Sequence, residues 1–205
     1  MNRSDEFKTR YLVPMADMMK GLNPGRNPGA GVYKYRSMEE AVVSEGHSFS
    51  DVPLSPSEEK PLRNVLRFML RRERPQTKQC YMNAFNLCHA ARMVEAGMGL
   101  TYSEGFGEHM IAAGHAWGSY LGRAIDVTWR ESYKDTRYSV DAVLNRVRWN
   151  IVNCSYYGFE VPWDYVQKLV MRKRVYLSVL DNWEDRWPVV KHGVGVFVSG
   201  VEKGG

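Results

Sequence analysis

Apolar positions recur at helical spacing along two adjoining stretches of the chain and then change to alternation. In "SEEKPLRNVLRFMLRRER", Leu62, Val65, Leu66 and Leu70 form one stripe, the spacing of a helix with a single buried side. Ser57 supplies a cap before early glutamates, and basic residues fill the last turn, as the helix dipole favours. Pro75 ends this segment. A second helix is predicted from about 78 to 97, stopping at Gly97, with Ala84, Leu87, Cys88, Ala91 and Val94 along its buried side. Three strand-like pieces follow: "LTYSEGFG", "GHAWGSY" and "RAIDVTW". Leu121-Gly122 joins the last two closely enough to predict a hairpin. Helical spacing returns over 140–153 through Val140, Val143, Leu144, Val147 and Ile151, and Pro162 opens a further helix over "WDYVQKLVMRKR".

The ends of the chain are less regular. Residues 1–22 suit a short amphipathic helix (Phe7, Tyr11, Leu12, Met15, Met18, Met19) that Pro14 would kink or interrupt. "NPGRNPGAG" at 23–31 is a turn-rich break, and without a GK[ST] ending or a preceding apolar strand it is no phosphate loop. Residues 44–56 are again loop-like, and "VGVFVSGV" reads as an edge strand or arm. The expected division is therefore a partly irregular leader over 1–56, one main domain over 57–190, and a terminal strand or arm over 191–205. The element order predicts an α+β fold with an antiparallel sheet.

Composition narrows the chemistry. A chain of 205 residues, 44% hydrophobic and 25% charged, is ordinary for one globular domain. The net charge of +5 is carried by scattered cations whose densest clusters are short (Arg71, Arg72, Arg74; Arg172, Lys173, Arg174), so a nucleic-acid partner is not expected. Cys80, Cys88 and Cys154 form no CxxC and are odd in number, which favours neither a disulfide framework nor a closed zinc site. Cys88 and His89 diverge by roughly 100° around a helix and cannot readily share a metal. No metal or cofactor is expected. No apolar run approaches the ~18 residues of a membrane span, no signal-type leader is visible, and reduced thiols point to the cytoplasm.

What stands out is where three polar side chains fall. Cys80 comes in the first turn of the second helix, with Thr77 as its expected cap; free N–H groups and the positive dipole end there favour a thiolate and can stabilise a neighbouring oxyanion. His115 and Asp126 lie on adjacent strand pieces, able to sit side by side across the hairpin on the face that the cysteine helix covers. A base that takes the thiol proton, oriented by a carboxylate on its other nitrogen, is the general arrangement for an activated nucleophile. Several neighbours are secondary candidates. Gln79 is a possible oxyanion donor despite pointing away from Cys80, and Asn83 one turn on could polarise or cap. Glu104 is expected to border the cleft, where Gly105 permits close backbone approach. Trp117 and Trp129 are expected as core aromatics, with one of them a candidate groove wall. His109 falls in "GEHMIAAG", expected as an exposed mobile loop, and Cys154 is expected in the core.

The succession of a helix-leading Cys80, "SEGF", "HAW" and "IDVTW" over about residues 76–130 resembles the transglutaminase-like branch of the papain-like cysteine enzymes. "DVTW" stands where the family usually has Asp-Pro-Thr. In its compactness the chain is similar to small proteins encoded by bacteriophages and bacteria. The resemblance implies a papain/transglutaminase-like fold, with the cysteine helix packed on a small antiparallel sheet and further helices around it. It also implies Cys80 as nucleophile, His115 as base and acid, and Asp126 as the orienting carboxylate. The implied activity is that of a cysteine hydrolase or acyltransferase working on an amide or peptide bond through a thioester. Its partner would be a protein or peptide substrate or a small amide. The alternatives are a non-catalytic binding or virion-associated protein on the same fold, or a phage anti-defence factor.

Overall fold

The computed structural model describes residues 2–22, 32–129 and 138–199; the 23–31 break and the tail beyond 199 lie outside them. Helix begins at once, with α1 (Arg3–Phe7), a π-helical turn (Lys8–Leu12) and α2 (Val13–Leu22) in unbroken succession. Pro14 has no N–H to return to the preceding turn, and the wider turn just before it lets the helix continue. Then come α3 (Met38–Glu45), a short strand β1 (His47–Ser48), α4 (Pro56–Arg72) and α5 (Cys80–Val94). The sheet strands β2 (Thr101–Glu108), β3 (Ala112–Tyr120) and β4 (Arg123–Ile125) follow. The chain continues through α6 (Val140–Asn153), β5 (Ser155–Val161), α7 (Trp163–Lys173), α8 (Pro188–His192) and α9 (Val196–Ser199).

The α+β class and the antiparallel sheet are as expected, with strands ordered β1-β5-β2-β3-β4. Leu121 and Gly122, both at positive φ (50° and 72°), make the two-residue turn whose twist matches the strands it joins. Several boundaries differ from the sequence reading. Ser55, not Ser57, caps α4, in a reciprocal capping box with Glu58. Met69 rather than Leu70 completes the fully buried stripe of that helix. In α5 the buried side is Ala84, Leu87, Cys88 and Ala91, while Val94 is largely exposed at the helix end.

Three segments take a different form from the one expected. Most of the described residues within 1–56 are regular, with helix over 3–22 and 38–45: Phe7, Leu12 and Val42 sit in the main core, and β1 pairs with β5. The described part of the expected C-terminal strand or arm, 191–199, holds the end of α8 and then α9, and Val196 within it is buried. "GEHMIAAG" is no long loop, because β2 runs to Glu108 and β3 starts at Ala112, leaving a tight tip. His109 is half-buried there and packs its ring on Trp129 and Trp149.

The sheet separates two apolar clusters. On one face Tyr102, Phe106, Ala116, Tyr120, Ile125, Tyr157 and Phe159 join α4, α5 and α6 in the main core. Glycine at 118 lets α5 approach, since a Cβ there would lie 2.9 Å from a Leu87 methyl. The opposite face carries a smaller cluster of Phe49, Trp117, Ala124, Cys154 and Tyr156, with Trp129 and Trp149 packed against it.

Candidate active site

Period-two alternation decides which side each polar residue meets. His115 and Trp117 alternate with Ala116 and Gly118, so they project away from the body of α5, and Asp126 follows Ile125 onto the same side. The expectation that the cysteine helix covers His115 and Asp126 is therefore corrected: α5 lies across the other face. The two are brought together elsewhere. The ladder between β3 and β4 runs from Tyr120–Arg123 to Gly118–Ile125. Beyond that pair the chains part, and the N-terminus of α5 comes in beside residues 126–128.

Asn83 makes that junction. Its side-chain amide donates to the Gln76 carbonyl at 2.7 Å and to Thr128 Oγ1 at 3.0 Å, and its own oxygen accepts from the Gln76 N–H at 2.9 Å. With both amide protons and the carbonyl engaged, buried Asn83 is a tie between helix and strand, not a free oxyanion donor. Cys80 is the first residue of α5 and is half-buried. The preceding turn includes Lys78 at φ 65°, and Gln79, exposed at the N-cap position, makes no side-chain cap. The first bond of the helix runs from Asn83 N–H to the Gln79 carbonyl at 2.9 Å, so Cys80, Tyr81 and Met82 have N–H groups without an intrahelical acceptor.

Opposite the helix tip, His115 Nε2 meets Asp126 Oδ2 at 2.9 Å, with the residues 3% and 0% exposed. Asp126 is heavily bonded. Its Oδ1 accepts the Thr128 N–H at 2.7 Å and the Trp129 N–H at 3.4 Å, and its Oδ2 also accepts the Tyr156 hydroxyl at 2.9 Å. Asn150 from α6 donates to the Asp126 carbonyl at 2.9 Å and to that of Trp129 at 3.2 Å, fixing the turn that aims the carboxylate. Trp129 lies face-on against His115, ring centres 4.0 Å apart and 14° from parallel. Gly107 leaves room for that indole: a Cβ there would stand 2.5 Å from Trp129 Cη2.

The electrostatics follow from this packing. Burial alone would lower the His115 pKa, but the Asp126 charge and hydrogen bond, with a further hydrogen-bonding contribution from Cys80, outweigh it and push His115 up to about 10. Asp126 is held below the usual carboxylate range: desolvation opposes ionisation, and the His115 charge and bond, the Thr128 N–H and the Tyr156 hydroxyl overcome it. Both shifts favour an imidazolium facing a carboxylate. Nε2 is taken by Asp126, and Nδ1 is the nitrogen left for the thiol. Cys154 is buried among these aromatics and its thiol is pushed up to about 12, chiefly by desolvation.

Two other candidates take different parts, Glu104 on the opposite face and Trp117 as packing beside His115, ring centres 6.2 Å apart. Glu104 pairs with Ala116, on the α5 face of the sheet, and is 1% exposed. Its carboxylate accepts from the Val179 and Leu180 N–H groups at 2.8 and 2.9 Å, from Tyr102 at 3.2 Å, and from Ser178. It anchors the 178–180 segment and borders no cleft. Trp117, at 1% exposure, is sealed within the small cluster, as a core aromatic. Tyr156 and Asn150 were not foreseen. "SYYGFEV" is a strand signal squeezed between a helix and Pro162, and Asn150 is a polar residue on an otherwise apolar helical side. Among the described residues no three His, Cys, Asp or Glu side chains gather into a metal site. No protein-family model, curated protein or solved structure matches this chain. The likeness to transglutaminase-like enzymes rests on its motifs.

Proposed function

We propose that the protein is a cysteine hydrolase or acyltransferase of transglutaminase-like type, acting on an amide or peptide bond. One observation carries the reading: a buried His115–Asp126 ion pair whose second imidazole nitrogen is left to a thiol at a helix N-terminus. In this mechanism the Cys80 thiolate attacks the carbonyl carbon, and the free N–H groups of the first turn of α5 receive the developing oxyanion. His115 then gives its Nδ1 proton to the departing amine, leaving a thioester on Cys80. Water or an amine attacks that thioester while His115 takes the proton back. Asp126 keeps the imidazole in one orientation and balances its charge throughout. The free thiols at Cys80, Cys88 and Cys154 suit a reducing, cytoplasmic setting.

The test needs no knowledge of the natural substrate. p-Nitrophenyl acetate should give a burst of one nitrophenolate per chain and an acetylated Cys80 by mass spectrometry. Cys80→Ser should abolish the burst and His115→Ala should slow it by about 10²- to 10⁴-fold. A burst that survives in Cys80→Ser would overturn the proposal.

A further inference from the structure

We infer that Tyr156 is a positioning residue of the same site, acting through Asp126; this rests on the function proposed above. Its hydroxyl and His115 Nε2 approach the same carboxylate oxygen, Oδ2, each at 2.9 Å. The other oxygen is occupied by main-chain N–H groups. The carboxylate therefore has four donors, two from the main chain of its own turn and two side chains from other strands: His115 from β3 and Tyr156 from β5. The hydroxyl's other neighbour is the Cys154 thiol, which itself turns to Asn150 Oδ1 at 3.7 Å; the residue is 2% exposed, and its ring already packs on Trp117 and Trp129. A phenylalanine would fill that space equally well, so the hydroxyl serves the carboxylate.

The consequence is a division of the charge on Oδ2 between two partners. A hydrogen bond to an ionised carboxylate favours the ionised form. Tyr156 thus keeps Asp126 charged further into acid, and with it the imidazolium that faces Cys80. It also restrains Oδ2 in the plane in which His115 meets it. The titratable groups facing Asp126 are His115 from β3, Tyr156 from β5 and Cys154 at the end of α6, with Cys80 beyond the imidazole. Cys154 lies beside the Tyr156 hydroxyl and is held neutral by burial, so it adds no competing charge below about pH 12.

Two readouts separate this inference from the reading beneath it. The first is iodoacetamide alkylation of Cys80, followed against pH in the parent and in His115→Ala. Equal rates at every pH would overturn the functional proposal itself. The second is the acid edge of that alkylation, together with the carboxyl carbon titration of Asp126 by NMR, in Tyr156→Phe and in Tyr157→Phe. The neighbouring Tyr157 hydroxyl bonds the Gly46 carbonyl at 2.9 Å, outside the site, and serves as control. Tyr156→Phe should raise both the acid edge and the Asp126 titration by about one pH unit, and Tyr157→Phe should move neither. If Tyr156→Phe folds poorly, 3-fluorotyrosine at 156, a stronger donor, should move both readouts in the opposite direction. An unshifted edge in a folded position-156 variant, or an equal shift in Tyr157→Phe, would overturn the inference while leaving the Cys80–His115 reading intact.

Discussion

One face of the sheet packs Tyr102, Phe106, Ala116 and Ile125 against helices, while the other holds His115, Asp126 and Tyr156 beneath Trp129. The same strands build both, and adjacent residues such as Ile125 and Asp126 belong to different sides. The α5 face is stabilised chiefly by apolar burial, with Glu104 as its anchored carboxylate. The other is an aromatic box around an ion pair, where each polar atom must be matched or it costs stability. Damage to the first face should therefore weaken folding without retuning the thiol. Damage to the second should retune the thiol, and by less the farther it lies from His115.

The sharpest break is Asp126→Asn. An amide at that place leaves the imidazole uncharged and in the wrong tautomer, and acetyl transfer to Cys80 should fall roughly 10²- to 10⁴-fold in pre-steady-state kinetics. Leu87→Ala is the counterpart on the α5 face. It empties a fully buried site against Gly118 and should cost about 2–5 kcal/mol in denaturant unfolding, yet leave the alkylation pH profile of Cys80 in place. Gly107→Ala probes the second face from a distance. Its new methyl must displace the Trp129 indole, with a cost of about 1–3 kcal/mol in thermal unfolding and a shift of the His115 ring signals in NMR.

The mildest test is pH. The folded-state pKa of His115 lies above its unfolded value of 6.5, so its contribution to stability is complete below 6.5 and is lost progressively up to about 10. Asp126 has the opposite sign. Its contribution is present above its unfolded value near 3.8 and is lost as pH falls through its lowered folded value. Urea midpoints should decline between pH 6.5 and 10, and the decline should be shallower in His115→Gln. An identical slope in the two proteins would remove the imidazolium from the account.

The placement of Cys80 at a helix start and of His115 and Asp126 about a hairpin was legible because local constraints mark it. The cysteine opens a helix after a proline-terminated one, the histidine has small neighbours, and the hairpin turn is written in Leu121-Gly122. Their side of the sheet was not legible, since it depends on where β3 and β4 part, a matter of tertiary packing. Tyr156 was hidden for the same reason: β5 enters the sheet between β1 and β2, far from its sequence neighbours. The helical N-terminus was foreseen as amphipathic, but not its place in the core, which depends on partners such as Val42 and β5. Asn83 was noticed for its position one turn from Cys80, and its role changed once Thr128 became its partner.

That single amide bridge spans 45 residues of chain. Cys80 and the His115–Asp126 pair are brought together beside it only when helix and hairpin have both formed and docked. A nascent or partly unfolded chain would carry Cys80 as an ordinary thiol, chemically quiet towards the proteins around it. Reactivity would then appear at the end of folding, as a property of the finished molecule and of no fragment of it.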